Sequence, residues 1–293
     1  MKVTGKNFGC MDPGIGGKAK AGILPDLKLF SKSGIGCEER DLPDIPYSEK
    51  HLALAVKQYQ ALEDAGIHEH LLGIKADPKW VKANPVDYED ALKNIVKLHR
   101  KGVVAYMIGR EPSAFMNAAT YAGWLMRSRE ILADKPIVFA NAPCLGNPQT
   151  YRWFKTVIDL CYDAFGDTFV DVFGMAWHTQ FGSQLWGLMK AVQQLRQMLP
   201  QGMPLWMVEG GTWGSANKAR EPHQTDAEQA MANLALASHA FNLGIEKVFF
   251  GFQDTLSAQK EFYGYGMVDA KGNPKLLYKW LQEYIADMNR INQ

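Results

Sequence analysis

Short runs of β-branched and other apolar residues alternate along the whole chain with longer stretches in which apolar residues return at helical spacing. That rhythm predicts βα units built around a parallel sheet. The strand-like runs are Val3 to Phe8, Gly34 to Arg40, His70 to Lys75, Val103 to Ile108, Pro136 to Asn141, Phe169 to Gly174, Leu205 to Glu209 and Lys247 to Phe252. Eight strands are what a closed barrel takes, so the expected fold class is α/β, a (β/α)8 TIM barrel. Helices are predicted over Ser48 to Ala65, Tyr88 to Arg100, Ala118 to Ala133, Thr150 to Phe165, Gln184 to Leu199, Asp226 to Asn242 and Pro274 to Asn289. Ser48 and Thr225 stand at N-cap positions, and Gly66, Gly102, Gly166 and Gly244 close helices where a left-handed residue is needed. A short helix is also predicted near Pro25 to Ser33, after a Gly- and Lys-rich stretch from Asp12 to Gly22.

The length of 293 residues suits one barrel, whose usual size is about 250 residues. No linker or low-complexity tract interrupts it, so residues 1–293 are read as one domain. With 32 basic against 31 acidic residues, no global field favours nucleic acid or anionic lipid. No apolar run is long enough to span a membrane. The first residues also lack a signal-peptide pattern, so a complete chain is expected in the cytoplasm, and otherwise a secreted one whose signal has been removed. The cysteines Cys10, Cys37, Cys144 and Cys161 are scattered, with no CxxC pair and no His at metal-site spacing. Neither a zinc site nor a disulfide framework is expected. Gly14-Ile15-Gly16-Gly17-Lys18 lacks the strand and helix that a phosphate-binding loop requires, and reads as a loop at the cleft rim.

Active sites of such barrels are built at the carboxyl ends of the strands. The fourth strand-like run ends in Gly109-Arg110-Glu111-Pro112, and the seventh in Glu209-Gly210-Gly211. Cleaving an acetal at neutral pH takes a protonated group beside the leaving oxygen and an anion beneath the anomeric carbon. Two carboxyls about 5 Å apart supply both and give retention of configuration.

At these residues the sequence resembles the retaining (β/α)8 glycosidases of clan A, whose catalytic glutamates follow strands four and seven. Its β-xylosidase, iduronidase and cellulase-like branches are the most similar. The resemblance implies that Glu111 is the acid/base, with Tyr121-Ala122 on the helix after it, and that Glu209, within Trp206-Met207-Val208-Glu209-Gly210-Gly211-Thr212-Trp213, is the nucleophile. It implies that Arg40, in Gly34-Ile35-Gly36-Cys37-Glu38-Glu39-Arg40-Asp41-Leu42, braces that nucleophile. Asp77-Pro78-Lys79-Trp80 is similar to the exit of the third strand, and Phe173-Gly174-Met175-Ala176-Trp177-His178 to the sixth, whose last residue reaches the site. Gly266-Met267-Val268-Asp269 through Lys275 resembles the turn into the last helix.

Two departures stand out. Arg110 occupies the place where the clan carries Asn, which suggests an altered sugar, including one with a negative group. Phe252 and Gln253 stand where the clan has a Trp. Asn141, Asp77 and Asp254 read as cleft lining. Trp80, Trp177 and Trp213 are candidate stacking platforms for a sugar ring, while Trp124, Trp153, Trp186 and Trp280 read as wall packing. An oligosaccharide, polysaccharide or glycoside is the expected partner, no cofactor or metal is required, and the oligomeric state is unassigned. A strand-end glutamate taken alone is more often solvated or salt-bridged than catalytic. Two other classes are therefore carried: a barrel that binds sugar without cleaving it, and an isomerase or aldolase, for which Lys75 is the lysine to consider.

Overall fold

The computed structural model describes residues 2–11, 27–98, 101–132, 135–142, 147–166, 169–179, 185–217, 223–252, 254 and 264–292, with the backbone alone for 140–142. The strands are β1 (Phe8–Met11), β2 (Cys37–Asp41), β3 (His70–Ile74), β4 (Val103–Ile108), β5 (Ile137–Ala142), β6 (Val172–His178), β7 (Leu205–Gly211) and β8 (Ile245–Gly251). They close into a parallel barrel in chain order, with β1 pairing β8. The helices are α1 (Leu27–Lys32), α2 (Glu49–Asp64), α3 (Pro78–Ala83), α4 (Pro85–Leu98), α5 (Ala118–Ile131), α6 (Pro148–Phe165), α7 (Leu185–Met198), α8 (Asp226–Asn242) and α9 (Leu276–Ile291). The chain is an α/β TIM barrel.

Local chemistry sets the helix ends. Ser48 accepts the His51 N–H at the start of α2, and Thr225 with Glu228 forms a reciprocal capping box at the start of α8. Asp77 accepts the Lys79 N–H and Pro78 takes the first helical position, which starts α3, a helix the sequence pattern did not predict.

Two strands are displaced from expectation. Val3 to Phe8 reads as a strand, but Thr4 and Asn7 form a capping box around one 3-10 turn, Gly5–Asn7, and pairing begins only at Phe8. Their side-chain oxygens take up N–H groups that a ladder would need. The sixth strand was expected over Phe169 to Gly174 and lies at Val172–His178, Phe169 and Val170 being buried before it. The predicted helix near Pro25 to Ser33 survives as Leu27–Lys32; its first two residues and the stretch from Asp12 to Gly22 lie outside the described residues.

Alternation along the strands divides the core in two. Cys37, Leu71, Ala105, Met107, Val138, Val172, Trp206, Val208 and Phe249 fill the barrel. Phe8, Cys10, Leu72, Ile74, Tyr106, Ile108, Phe139, Phe173, Met175 and Phe250 face the helices. The interior is a packed core: a Cβ on Gly9 would fall within the Phe249 ring.

Candidate active site

The seventh strand does not alternate strictly. Against β6, Met175 pairs Met207 and Ala176 pairs Glu209; against β8, Met207 pairs Val248 and Gly210 pairs Phe250. One extra residue on β7 forms a bulge, so Val208 and Glu209 both turn away from the helices. Strict alternation would have pointed Glu209 into the helix layer.

Glu111 reaches the mouth differently. After β4, Gly109 takes φ 76° and Glu111 φ 43°, ψ 47°, the latter the one non-glycine residue with positive φ among those described. A left-handed glutamate before proline is strained by roughly 1–3 kcal/mol and persists only where its surroundings impose it. Tyr121 donates to the Ile108 carbonyl at 2.7 Å and holds the end of β4 from α5. The half-buried Glu111 carboxyl is held above the ordinary carboxylate range by burial first and by the charge of Glu209 second, against the pull of His178 and Arg110. The two glutamates therefore share one electrostatic environment.

Around them lies a network of charges. His178 Nε2 is 3.5 Å from Glu209 Oε1, and its ring meets Tyr265 edge-on at 5.6 Å. Arg110 Nη2 lies 2.8 Å from both carboxyl oxygens of Glu39, which is 1% exposed, and Nη1 lies 3.8 Å from Asp41. Lys75 closes on Asp41 at 2.6 Å. Burial, with Asp41 and Glu209 adding like charge, raises the Glu39 carboxyl, while Arg110 pulls it down. Glu39, Asp41 and Tyr265 were not anticipated. The first two had a signal: Cys37-Glu38-Glu39-Arg40-Asp41 carries four charges in a strand position where parallel sheets are apolar.

No family model and no curated protein matches the sequence. Solved structures match its shape. The barrel is similar to those of glycoside hydrolases. A family 39 glycoside hydrolase from Bacteroides cellulosilyticus WH2 is 16% identical, with a TM-score of 0.65 over 96% of this chain and 63% of that one. The exo-β-1,4-mannosidase of Opitutaceae bacterium strain TAV5 is 15% identical, with a TM-score of 0.68 over 97% of this chain and 60% of that one. A fungal β-1,4-galactanase is 13% identical, with a TM-score of 0.67 over 88% of this chain and 90% of that one. The chain thus spans about three-fifths of the length of the first two.

Several expected site residues lie elsewhere. Arg40 does not brace Glu209: it sits on the outer face of β2 and pairs with Glu38 at 3.0 Å. Glu38 in turn meets His70, which reaches Glu63 on α2. Arg110 is turned inward and its guanidinium pairs with Glu39, while its side chain stays 32% exposed. Trp177 is no platform, since alternation turns it out against α7, where a Cβ on Gly187 would meet its ring at 3.1 Å. Trp80 packs on the helix-side core, and Asp77 caps α3. Phe252 is fully buried against Phe30, and Asp254 is tied to Lys275 and Gly266. Trp213 is 2% exposed and packs 6.0 Å from Tyr265, at the border of the site. Trp186, expected as wall packing, is 78% exposed. The backbone of Asn141 is the last but one of β5; its side chain, Gln253 and Cys144 lie outside the described residues.

Proposed function

We propose that the protein is a retaining glycoside hydrolase with Glu111 as acid/base and Glu209 as nucleophile. The observation that carries this reading is that the exits of β4 and β7 each supply a glutamate, one by a strained left-handed turn and one by a bulge, with Glu111 held in the protonated direction by burial and by the charge of Glu209. A carboxyl kept protonated beside a second that is ionised supplies acid and anion at one pH.

In the first step the glycosidic C–O bond breaks as Glu111 donates its proton to the leaving oxygen and a Glu209 oxygen bonds to the anomeric carbon. In the second, Glu111, now ionised, takes a proton from water as that water attacks the same carbon, releasing the sugar and restoring both carboxyls. No organic cofactor takes part in this scheme. His178, at 3.5 Å from Glu209, orients the nucleophile. The substrate class is a glycoside, oligosaccharide or polysaccharide. Against the aldolase reading, Lys75 is engaged by Asp41 at 2.6 Å.

Incubation with a panel of activated fluorosugars followed by peptide mass spectrometry tests the assignment. A glycosyl adduct on Glu209, and loss of aryl-glycoside hydrolysis in Glu209→Gln, are expected. An adduct on another residue, or hydrolysis that survives Glu209→Gln, rejects it. Calorimetric binding of an oligosaccharide that stays intact on long incubation would instead establish a binding barrel.

A further inference from the structure

The double displacement leaves one strong charge in the site unused, that of Arg110. A guanidinium is protonated at every accessible pH, so it acts as a fixed cation wherever it is held. Two carboxylates of β2 determine where that is. Glu39 meets Arg110 Nη2 through both oxygens at 2.8 Å, and Asp41 lies 3.8 Å from Nη1. Lys75, the residue after β3, holds Asp41, leaving Glu39 as the main counter-ion of Arg110. The charged groups that act on Arg110 are thus Glu39 and Asp41 from β2, its neighbour Glu111 and Glu209 from β7, while Lys75 pairs with Asp41 and His178 with Glu209. Glu209 is near enough that its charge acts on both Arg110 and Glu39.

Such a network is an odd thing to find in a barrel otherwise filled by Leu71, Met107 and Val208. A buried ion pair is often no more stable than apolar residues of the same volume, because desolvation offsets the Coulomb attraction. Stability alone therefore gives a weak account of Glu39. Its geometry gives a better one, since it fixes a long, flexible side chain at a single place beside the nucleophile.

We propose that Glu39 is a positioning residue that clamps Arg110 so that the guanidinium faces Glu209 and keeps it ionised. The role that the resemblance implied for Arg40 on the second strand is here performed by Arg110 from the fourth, with the second strand supplying the clamp. The proposal rests on the reading of Glu209 as nucleophile, but its test does not need a substrate.

The experiment is 13C NMR of the full chain labelled at the glutamate carboxyl carbons, with the Glu209 signal assigned by its loss in Glu209→Gln. In Arg110→Met the Glu209 carboxyl should titrate about one pH unit or more above wild type, as expected for loss of a nearby opposite charge. Arg110→Lys should bring back most of that difference and keeps the test open should the methionine variant not fold. Glu39→Gln discriminates most sharply. A clamp lost lets Arg110 leave and moves Glu209 upward, whereas removal of the raised Glu39 carboxyl with Arg110 still in place leaves Glu209 unmoved or moves it downward. An upward move in both Arg110→Met and Glu39→Gln supports the proposal; an unchanged Glu209 in Arg110→Met, or an unchanged or downward-moved Glu209 in Glu39→Gln, overturns it. Should wild type hydrolyse no glycoside while Glu209 still moves upward, the proposed activity fails and the clamp stands.

Discussion

His178 Nε2 lies 3.5 Å from Glu209 Oε1, and the edge of the same imidazole rests on Tyr265 at an interplanar angle of 86°. The ring is thereby fixed from one side and aimed at the carboxylate from the other. His178→Ala is expected to lower kcat by about tenfold to a hundredfold through loss of orientation. KM should change by less than about threefold, because an orienting group acts on the reacting carboxylate more than on ground-state binding. Steady-state kinetics on an aryl glycoside decides it; an unchanged kcat would remove His178 from the site.

Glu111 supplies a pH prediction. Burial, reinforced by Glu209, raises its carboxyl, and an acid catalyst works only while protonated. Activity in kcat/KM should therefore be present below the raised titration of Glu111 and be lost as pH rises through it. Glu111→Gln should abolish that alkaline limb together with about 10²–10⁴ of the rate. The linkage sign is the same for folding. A carboxyl raised in the folded state favours folding at low pH and opposes it once ionised, so Glu111→Gln should melt higher than wild type at pH 7. An equal or lower melting temperature there contradicts the electrostatic account.

Arg40 separates structure from chemistry. It is 1% exposed, on the helix side of β2, and pairs with Glu38 within the chain of contacts through His70 to Glu63. Arg40→Met strips a buried carboxylate of one cation and should cost about 3 kcal/mol. The pH profile of the remaining folded enzyme should be unaltered, in contrast to the Arg110 variants. Chemical denaturation and pH–rate profiles on the same preparation check both halves, and a shifted profile would place Arg40 back beside the nucleophile.

Gly211 ends β7 two residues after Glu209, just beyond the bulge. Its φ is 131°, and a Cβ there would lie 2.6 Å from Asn233 Oδ1, in a side chain that itself donates to Gln229. Gly211→Ala should destabilise by about 1–3 kcal/mol and also lower kcat, since relief of the clash displaces the strand end that carries Glu209. Gly123→Ala is the control. It sits in α5 with nothing within 4 Å of the added carbon, and should stabilise by about 0.5–1 kcal/mol with activity unchanged. Melting curves and kcat for the two variants give the comparison; a Gly211→Ala enzyme of full activity would show that the end of β7 has no part in placing Glu209.

The order of strands and helices, and the glutamates at the ends of the fourth and seventh strands, were legible in the chain because hydrophobic period and strand-end position are local properties. Helix starts at Ser48 and Thr225 were legible for the same reason, since a cap uses side chains within a few residues. Val3 was misread because the polar Thr4 and Asn7 around it bond to each other before any ladder forms.

What the sequence determined by itself is the barrel's sequence of elements and the acidic pair at its top. Which residues of a strand face inward was decided only by tertiary structure. Alternation says that Glu39 and Asp41 share a face and that Glu38 and Arg40 share the other, but a shift of one residue exchanges the two. The packing of Cys37 inside the barrel settles that parity, sending Arg40 to the helices and Glu39 to Arg110. The bulge at Val208 and the left-handed turn at Glu111 then break the local rules on either side of the mouth, because only the closed barrel brings the exits of β4 and β7 to one place.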